Sequence, residues 1–216
     1  MSLRTTLLFF VVFAACGGSQ SMINTPLTWK PSDDLTDFHS VAGEIKNSWG
    51  MGSTTISGPD NLPKIMAAFT GQKLQVMPFV DNRTEKGSIG ANKENSTPRP
   101  VTTPDDVARY ISMHTEDVLR AAQIAVVPGG ASRILSGEVV QFFVTEDNRY
   151  NATVTLNLTL TDNAGKVLWQ GPAVGQQNKF GHSFDASNYN EALSDAIVRA
   201  FHALLMNDQF LAAVHG

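Results

Sequence analysis

The chain has 216 residues, a net charge of −4 and 17% charged residues, a balance that leaves no electrostatic footprint for nucleic acid and removes functions built on basic patches. Its single cysteine permits no disulfide within the chain, so apolar packing has to hold the fold. About 200 mature residues suit one domain, or one domain with an ordered extension.

Residues 1–15 read as a signal peptide: Arg4, an apolar run from Leu7 to Phe13, then the small residues Ala14 and Ala15 before Cys16. The run is shorter than the roughly 20 residues a membrane span needs. Ala14-Ala15-Cys16 resembles the bacterial lipobox, although Phe13 stands where that pattern usually has Leu. The resemblance implies a cysteine thioether-linked to diacylglycerol and then N-acylated, which anchors stably because each buried methylene adds about 0.8 kcal/mol. An ordinary signal cut that abuts a cysteine is the alternative reading. Gly17 in place of Asp after the cysteine leans towards outer-membrane sorting, with the inner membrane as the alternative.

Residues 16–25 are small and polar, as a flexible tether would be. Residues 26–72 carry mixed signals and read as an N-terminal extension, with a short strand at Leu27-Thr28-Trp29 and a brief helix over 62–69 entered through Pro63. From residue 73 to 216 the pattern is that of one α+β domain, which the lipobox resemblance implies faces the periplasm. Lys73 to Val80 reads as a strand, with Pro78 at an edge or near its end. Residues 81–103 read as a long polar loop. Thr103 is the expected cap of a helix whose buried stripe is Val107, Ile111, Val118 and Ala122.

Ile124 to Val127 is a short apolar run closed by Pro128-Gly129-Gly130. Residues 133–145 predict a strand with Gly137 as a bulge, followed by a hairpin turn at 146–149. From Ala152 to Leu160, apolar residues alternate with Thr and Asn, the mark of a strand with one core face and one wet face. A turn at Asp162-Asn163-Ala164-Gly165-Lys166 leads to a strand beginning Val167-Leu168-Trp169-Gln170. After a polar loop at 181–189, Asn190 is the expected cap of a last helix marked by Leu193, Ile197, Ala200 and Leu204. Two helices over one face of a mostly antiparallel sheet make an α+β layered sandwich.

The lipobox, Val76-Met77-Pro78-Phe79-Val80 running into Asp81-Asn82-Arg83, and the pattern from Leu135-Ser136-Gly137 through Val154-Thr155-Leu156 to Gly165-Lys166-Val167-Leu168-Trp169 recur in one order. Together with the helix around Asn190 they resemble the YajG-like and ABC-transport auxiliary lipoproteins over roughly residues 70–207. That loose set also resembles the periplasmic domain of lipoprotein activators of peptidoglycan synthases. The resemblance implies a non-catalytic envelope lipoprotein that works by contact with proteins, lipid or cell wall; no catalytic residue carries over.

Asp81, Asn82 and Arg83 stand where a strand meets a loop, so they are either turn-shaping residues or a partner contact. Phe180 and Phe184, in the loop before the last helix, are candidates for an exposed apolar contact, whereas Trp169 is expected in the core. Gly87 to Lys93 lacks the spacing of a phosphate loop. His39, His114, His182, His202 and His215 include no i,i+4 pair, so no metal site, cofactor or catalytic group is expected. Three readings of function follow: an accessory or scaffold protein of an envelope transport or assembly system, an activator of a peptidoglycan synthase, or a carrier of an apolar ligand.

Overall fold

The computed structural model describes residues 22–32, 61–181 and 185–216, with the backbone of 44–46 and 53–55. Cys16 and Phe184 lie outside the described residues. The expected alternation sets the architecture. In β9 (Arg149–Asp162) Tyr150, Ala152, Val154, Leu156, Leu158 and Leu160 are buried, while the Asn and Thr side chains between them are not. β9 is the centre of a meander, with β8 (Arg133–Glu146) and β10 (Val167–Phe180) antiparallel on either side.

The other side of β8 is taken by what is in effect one interrupted strand: β4 (Leu74–Val76), β5 (Val80–Asp81) and β6 (Gly90–Asn92), each parallel to β8. Then β7 (Arg99–Thr102) runs antiparallel to β6, and β1 (Ile23–Asn24) runs parallel to β7. The sheet is therefore mixed, a correction to the mostly antiparallel one expected. Its cause is α2 (Val107–Ala121), which carries the chain back before β8 begins. β7 and then α2 return the chain from the end of β6, so that β8 starts beside β4 and pairs with it in parallel. β2 (Glu44–Lys46) and β3 (Ser53–Thr55) form a separate antiparallel ladder.

Several local expectations shift. The loop at 81–103 contains β6 and β7, strands too short to show a period in sequence. Gly90 admits β6 to the sheet, since a Cβ there would lie 2.3 Å from the Val144 carbonyl oxygen. Met77-Pro78-Phe79 separates β4 from β5. The irregularity in β8 falls between Val139 and Gln141 rather than at Gly137, which instead makes room for Leu158 and Phe79. β10 continues to Phe180, ten residues past Gln170, because Gly171, Pro172 and Gly175 hide its pattern.

Helix caps shift in the same way. α1 (Leu62–Ala68) has Pro63 in its first turn, as expected. Asp106 caps α2 by accepting from Arg109 N at 3.0 Å, while Thr103 Oγ1 accepts from Asp105 N. α3 (Ala186–Leu205) begins earlier than expected, capped by Asp185 rather than Asn190. α4 (Asp208–His215), absent from the sequence reading, is capped by Asn207.

One core joins the main sheet and the helices. It includes Leu62, Ile65 and Phe69 around α1, with Ile23, Leu27 and Trp29 packed against it, so segments ahead of residue 73 join the domain. Trp169 is buried beside Phe210 at 5.2 Å between ring centroids. α3 comes so close to β10 that a Cβ on Gly175 would lie 1.8 Å from the Ala196 oxygen and 2.4 Å from the Ala200 nitrogen. Backbone cannot yield as a side chain can. Gly175→Ala should therefore lower the unfolding free energy by at least about 1–3 kcal/mol. Gly129→Ala, where a Cβ meets nothing within 4 Å, should change it little. Urea denaturation followed by circular dichroism compares the two.

Candidate functional site

The residues that precede the domain core form a strap across the helix layer. Thr25 N bonds the Thr102 oxygen at 2.8 Å, continuing the β1–β7 pairing. Beyond it the strap leaves the sheet, and side chains replace the ladder. Leu27 N donates to Asp105 at 2.6 Å, Thr28 N to Asn190 at 3.1 Å, Lys30 N to Ser194 at 3.1 Å and Ser32 N to Asp195 at 2.8 Å. Asn190 also donates to the Pro26 oxygen at 3.0 Å. Asn190, Ser194 and Asp195 thus share one flank of α3, a consequence of helical spacing. Trp29 stacks on His114 at 4.3 Å and meets Tyr110 edge-on. His114 also bonds Asp117 at 2.9 Å, a satisfied ring on the α2 stripe.

Two buried carboxylates hold this layer. Glu146, at the end of β8, accepts from Tyr150 at 2.8 Å, from Asn92 at 2.5 Å and from Tyr189. One side chain thereby ties β6, the β8–β9 hairpin and α3 together. Burial, then the bond to Glu146, pushes the Tyr189 phenol above its ordinary range. Asp195 accepts from Ser32 N, from Ser32 Oγ at 2.9 Å and from Gln177 at 2.7 Å. Burial raises its carboxyl above the usual range against the lowering by Ser32 and Gln177. Burial also pushes Tyr110, which shares a hydrogen bond with Ser194, up to about 12. Donors that belong to the fold engage both carboxylates, so their chemistry is cohesive. The sequence held a signal for α3: three polar residues, Asn190, Ser194 and Asp195, inside an apolar helical stripe demand internal partners. Glu146 read only as a turn residue.

Exposed surfaces are of two kinds. The face of the meander opposite the helices carries Asn151, Thr153, Thr155, Asn157, Thr159 and Thr161 along β9, and none of them is buried. Its neighbours on β10 in the same register include Pro172, Val174 and Phe180, with Val174 44% and Phe180 69% exposed. A polar cleft of about 470 Å³ opens at the β9–β10 end, lined by Asn151, Thr153, Gln176, Asn178 and Arg199. The second surface is a crevice of about 450 Å³ between Val76-Pro78-Phe79 and α2, where Arg109, Met113 and Glu116 line it. Met77, Val80 and Met113 stand exposed around it.

Asp81 and Arg83 form a two-pronged ion pair, with Nε to Oδ1 and a terminal nitrogen to Oδ2 both at 2.9 Å. Arg83 is buried and also donates to the Ser88 oxygen at 3.1 Å, so the pair staples the turn after β5. The Arg83 hydrogen bond holds the Asp81 carboxyl below its usual range. Asn82 is exposed and donates to Glu138 at 3.2 Å. Phe180 lies across the sheet from β5, so the described candidate contact residues, Asp81, Asn82, Arg83 and Phe180, do not form one patch. Among the described residues no group of three His, Cys, Asp or Glu side chains could hold a metal ion.

No family model matches the sequence, and no curated protein matches it. Solved structures similar to this chain include protein XCC0632 from Xanthomonas campestris, of the DUF330 family, 14% identical with a TM-score of 0.44 over 62% of this chain and 84% of that one. The PelC dodecamer from Paraburkholderia phytofirmans is 16% identical, with a TM-score of 0.36 over 60% and 87%. A candidate lipoprotein from Caulobacter crescentus is 10% identical, with a TM-score of 0.40 over 68% and 90%.

The raised Asp195 carboxyl links stability to pH. In the unfolded chain it titrates near 3.8, so the folded form holds its proton to higher pH. That stabilisation is full below the unfolded value and is lost as pH rises through the folded one. The stability of the wild type relative to Asp195→Asn should therefore fall as pH rises from 4 through the weakly acidic range. Urea midpoints of both proteins across that range measure it; a difference independent of pH would refute the linkage.

Proposed function

We propose that this protein is a lipid-anchored envelope protein that acts by contact, as an accessory or scaffold of a transport or assembly system. The observation that carries the reading is the strap. Its first described residue, Met22, comes six residues after Cys16, a stretch that spans at most about 20 Å. Within the next ten residues the chain is bonded to β7, to Asp105 in the turn before α2, and to α3. A lipid on Cys16 would then hold the domain close to the bilayer by its β1 edge. The open face of the meander lies up to five strand spacings away, roughly 24 Å, at β10.

No described helix is long and apolar enough to cross a membrane; in this reading the Ala14-Ala15-Cys16 pattern supplies the anchor. The half-buried Thr and exposed Asn side chains of β9, with Val174 and Phe180 beside them, offer a broad contact surface of mixed polarity. Gly17 after the cysteine favours the outer membrane, facing the periplasm. The crevice beside α2, with methionines at its rim, favours a second reading as a carrier of an apolar ligand.

Cys16→Ala should abolish labelling by a fatty-acid probe and leave an unprocessed precursor; processing and membrane attachment that survive the change would sink the anchor. Pulldown of the lipidated protein from membranes separates the roles. Transporter subunits support the accessory reading, a peptidoglycan synthase points to activation of cell-wall synthesis, and a co-purifying lipid points to a carrier. Turnover by the soluble domain that one polar substitution removes would overturn all three.

A further inference from the structure

Large apolar side chains stand exposed on the side of the sheet that the anchor reaches first. β8 has β9 on one side and β4, β5 and β6 on the other, with β7 and then β1 beyond β6. Met22, next to β1, is 66% exposed, and Val80 of β5 is 62% exposed. Met77, in the break between β4 and β5, and Met113 of α2 are exposed as well. Met113 lines the crevice over Val76, Pro78 and Phe79, with Arg109 and Glu116 on the same flank of α2. Tyr110, on the other flank, bonds Ser194 of α3. The rim formed by Met77, Val80 and Met113 is therefore on the side of α2 away from α3.

Val80 pairs with Glu138, whereas the ladder from Ile23 through Val101 and Gly90 meets β8 at Val144. Met22 is then roughly 20 Å from Val80 along the strands, at about 3.3 Å per residue. A bilayer that holds Cys16 comes within a similar distance of Met22. Tilting the domain about Met22 brings either its β8–β9 hairpin end or its β5 side against the lipid. At the hairpin end, residues 146–149 are Glu, Asp, Asn and Arg. The β5 side exposes two methionines and a valine. Residues 33–60 leave the strap at Ser32, which is bonded to Asp195 of α3, and lead into α1, whose neighbour Phe69 packs on Phe210 of α4. Neither junction lines the crevice.

We propose that the rim of Met77, Val80 and Met113 rests in the headgroup region of the bilayer that holds Cys16, a second membrane contact beside the lipid anchor. The inference rests on the lipid-anchored reading. Methionine suits such a place, because its flexible apolar side chain adapts to an irregular surface. The contact is apolar rather than electrostatic. Asp106, Arg109 and Glu116 make the charge around the crevice mixed, and a net charge of −4 gives no general attraction to anionic lipid. Lipid anchor and rim together hold the domain in one orientation, with β10 on the side of the sheet turned away from the membrane.

The test uses the full lipidated chain in vesicles of phosphatidylethanolamine and phosphatidylglycerol. With the Cys16 sulfur in a thioether, the wild type should take no thiol-reactive bimane. Met113→Cys, Val80→Cys and Lys166→Cys, the last in the exposed β9–β10 turn, each then offer one site for it. Doxyl groups on lipid chains near the headgroups should quench the label at positions 80 and 113 about threefold or more over that at 166, while iodide in the buffer reaches 166 more readily. Salt at about 1 M, where the screening length is about 3 Å, should leave the pattern unchanged. A rim quenched by iodide and not by the doxyl lipid lies in water, which would overturn the proposal. A rim reached by neither quencher is covered by protein, either residues 33–60 or a second copy, and overturns it equally. A wild type that takes the label, or that fails to float with the vesicles, would remove the anchoring itself and the rim contact with it.

Discussion

The approach of α3 to the sheet at Gly175 is the constraint on which the remaining architecture rests. With no side chain at that point, the helix backbone settles against β10, and Ala196 and Ala200 supply the matching small surface. A helix seated so deeply is buried around most of its circumference, from Tyr189 to Leu205. Its polar positions then have to find partners inside the protein, because a buried group without a hydrogen bond costs about 1–3 kcal/mol. Tyr189 finds Glu146, and Asp195 finds Ser32 and Gln177. The close packing and the polar knots are two sides of one arrangement.

That arrangement explains why an extended segment with no strand partner beyond Thr25 can lie on the domain at all. The strap's amides would otherwise be left against a helix that has no free backbone to offer. Asn190, Ser194 and Asp195 take the place of a neighbouring strand, each satisfying the strap and itself at once. The segment nearest Cys16 thereby becomes part of the helix layer, and tension from a lipid anchor would reach α3 and the core directly. The two carboxylates at the centre are engaged by the fold's own donors, which suits a rigid body that presents surfaces.

Legibility in the sequence followed length and regularity. β9 was read correctly because a long, half-buried strand must alternate, and the stripe of α2 because each of its positions meets the core. β6 and β7 were hidden by brevity, since three or four residues cannot show a period. β10 was hidden by its composition: Gly175 serves the approach of α3, and Pro172 interrupts the last strand of the described sheet. The mixed sheet is not visible in β8 taken alone; it was implied only by the order of elements, in which a helix separates the strand at residue 74 from β8 and returns the chain to pair in parallel. Asn190 was misread as a cap for a physical reason as well: capping residues and strap-binding residues share the same short polar side chains. Of the candidate site residues, Asp81 and Arg83 proved to bond each other, and Phe180 stands exposed at the far edge.

The central claim is that residues from Thr25 to Ser32 belong to the folded helix layer because α3 side chains hold their amides. Amide hydrogen exchange of the full chain measures this directly. The account predicts that the amides of Leu27, Thr28, Lys30 and Ser32 are protected and open together, with Asp195→Ala accelerating all four while β9 stays slow. Exchange of those amides at the rate of an unstructured chain, or a strap indifferent to Asp195→Ala, would contradict it.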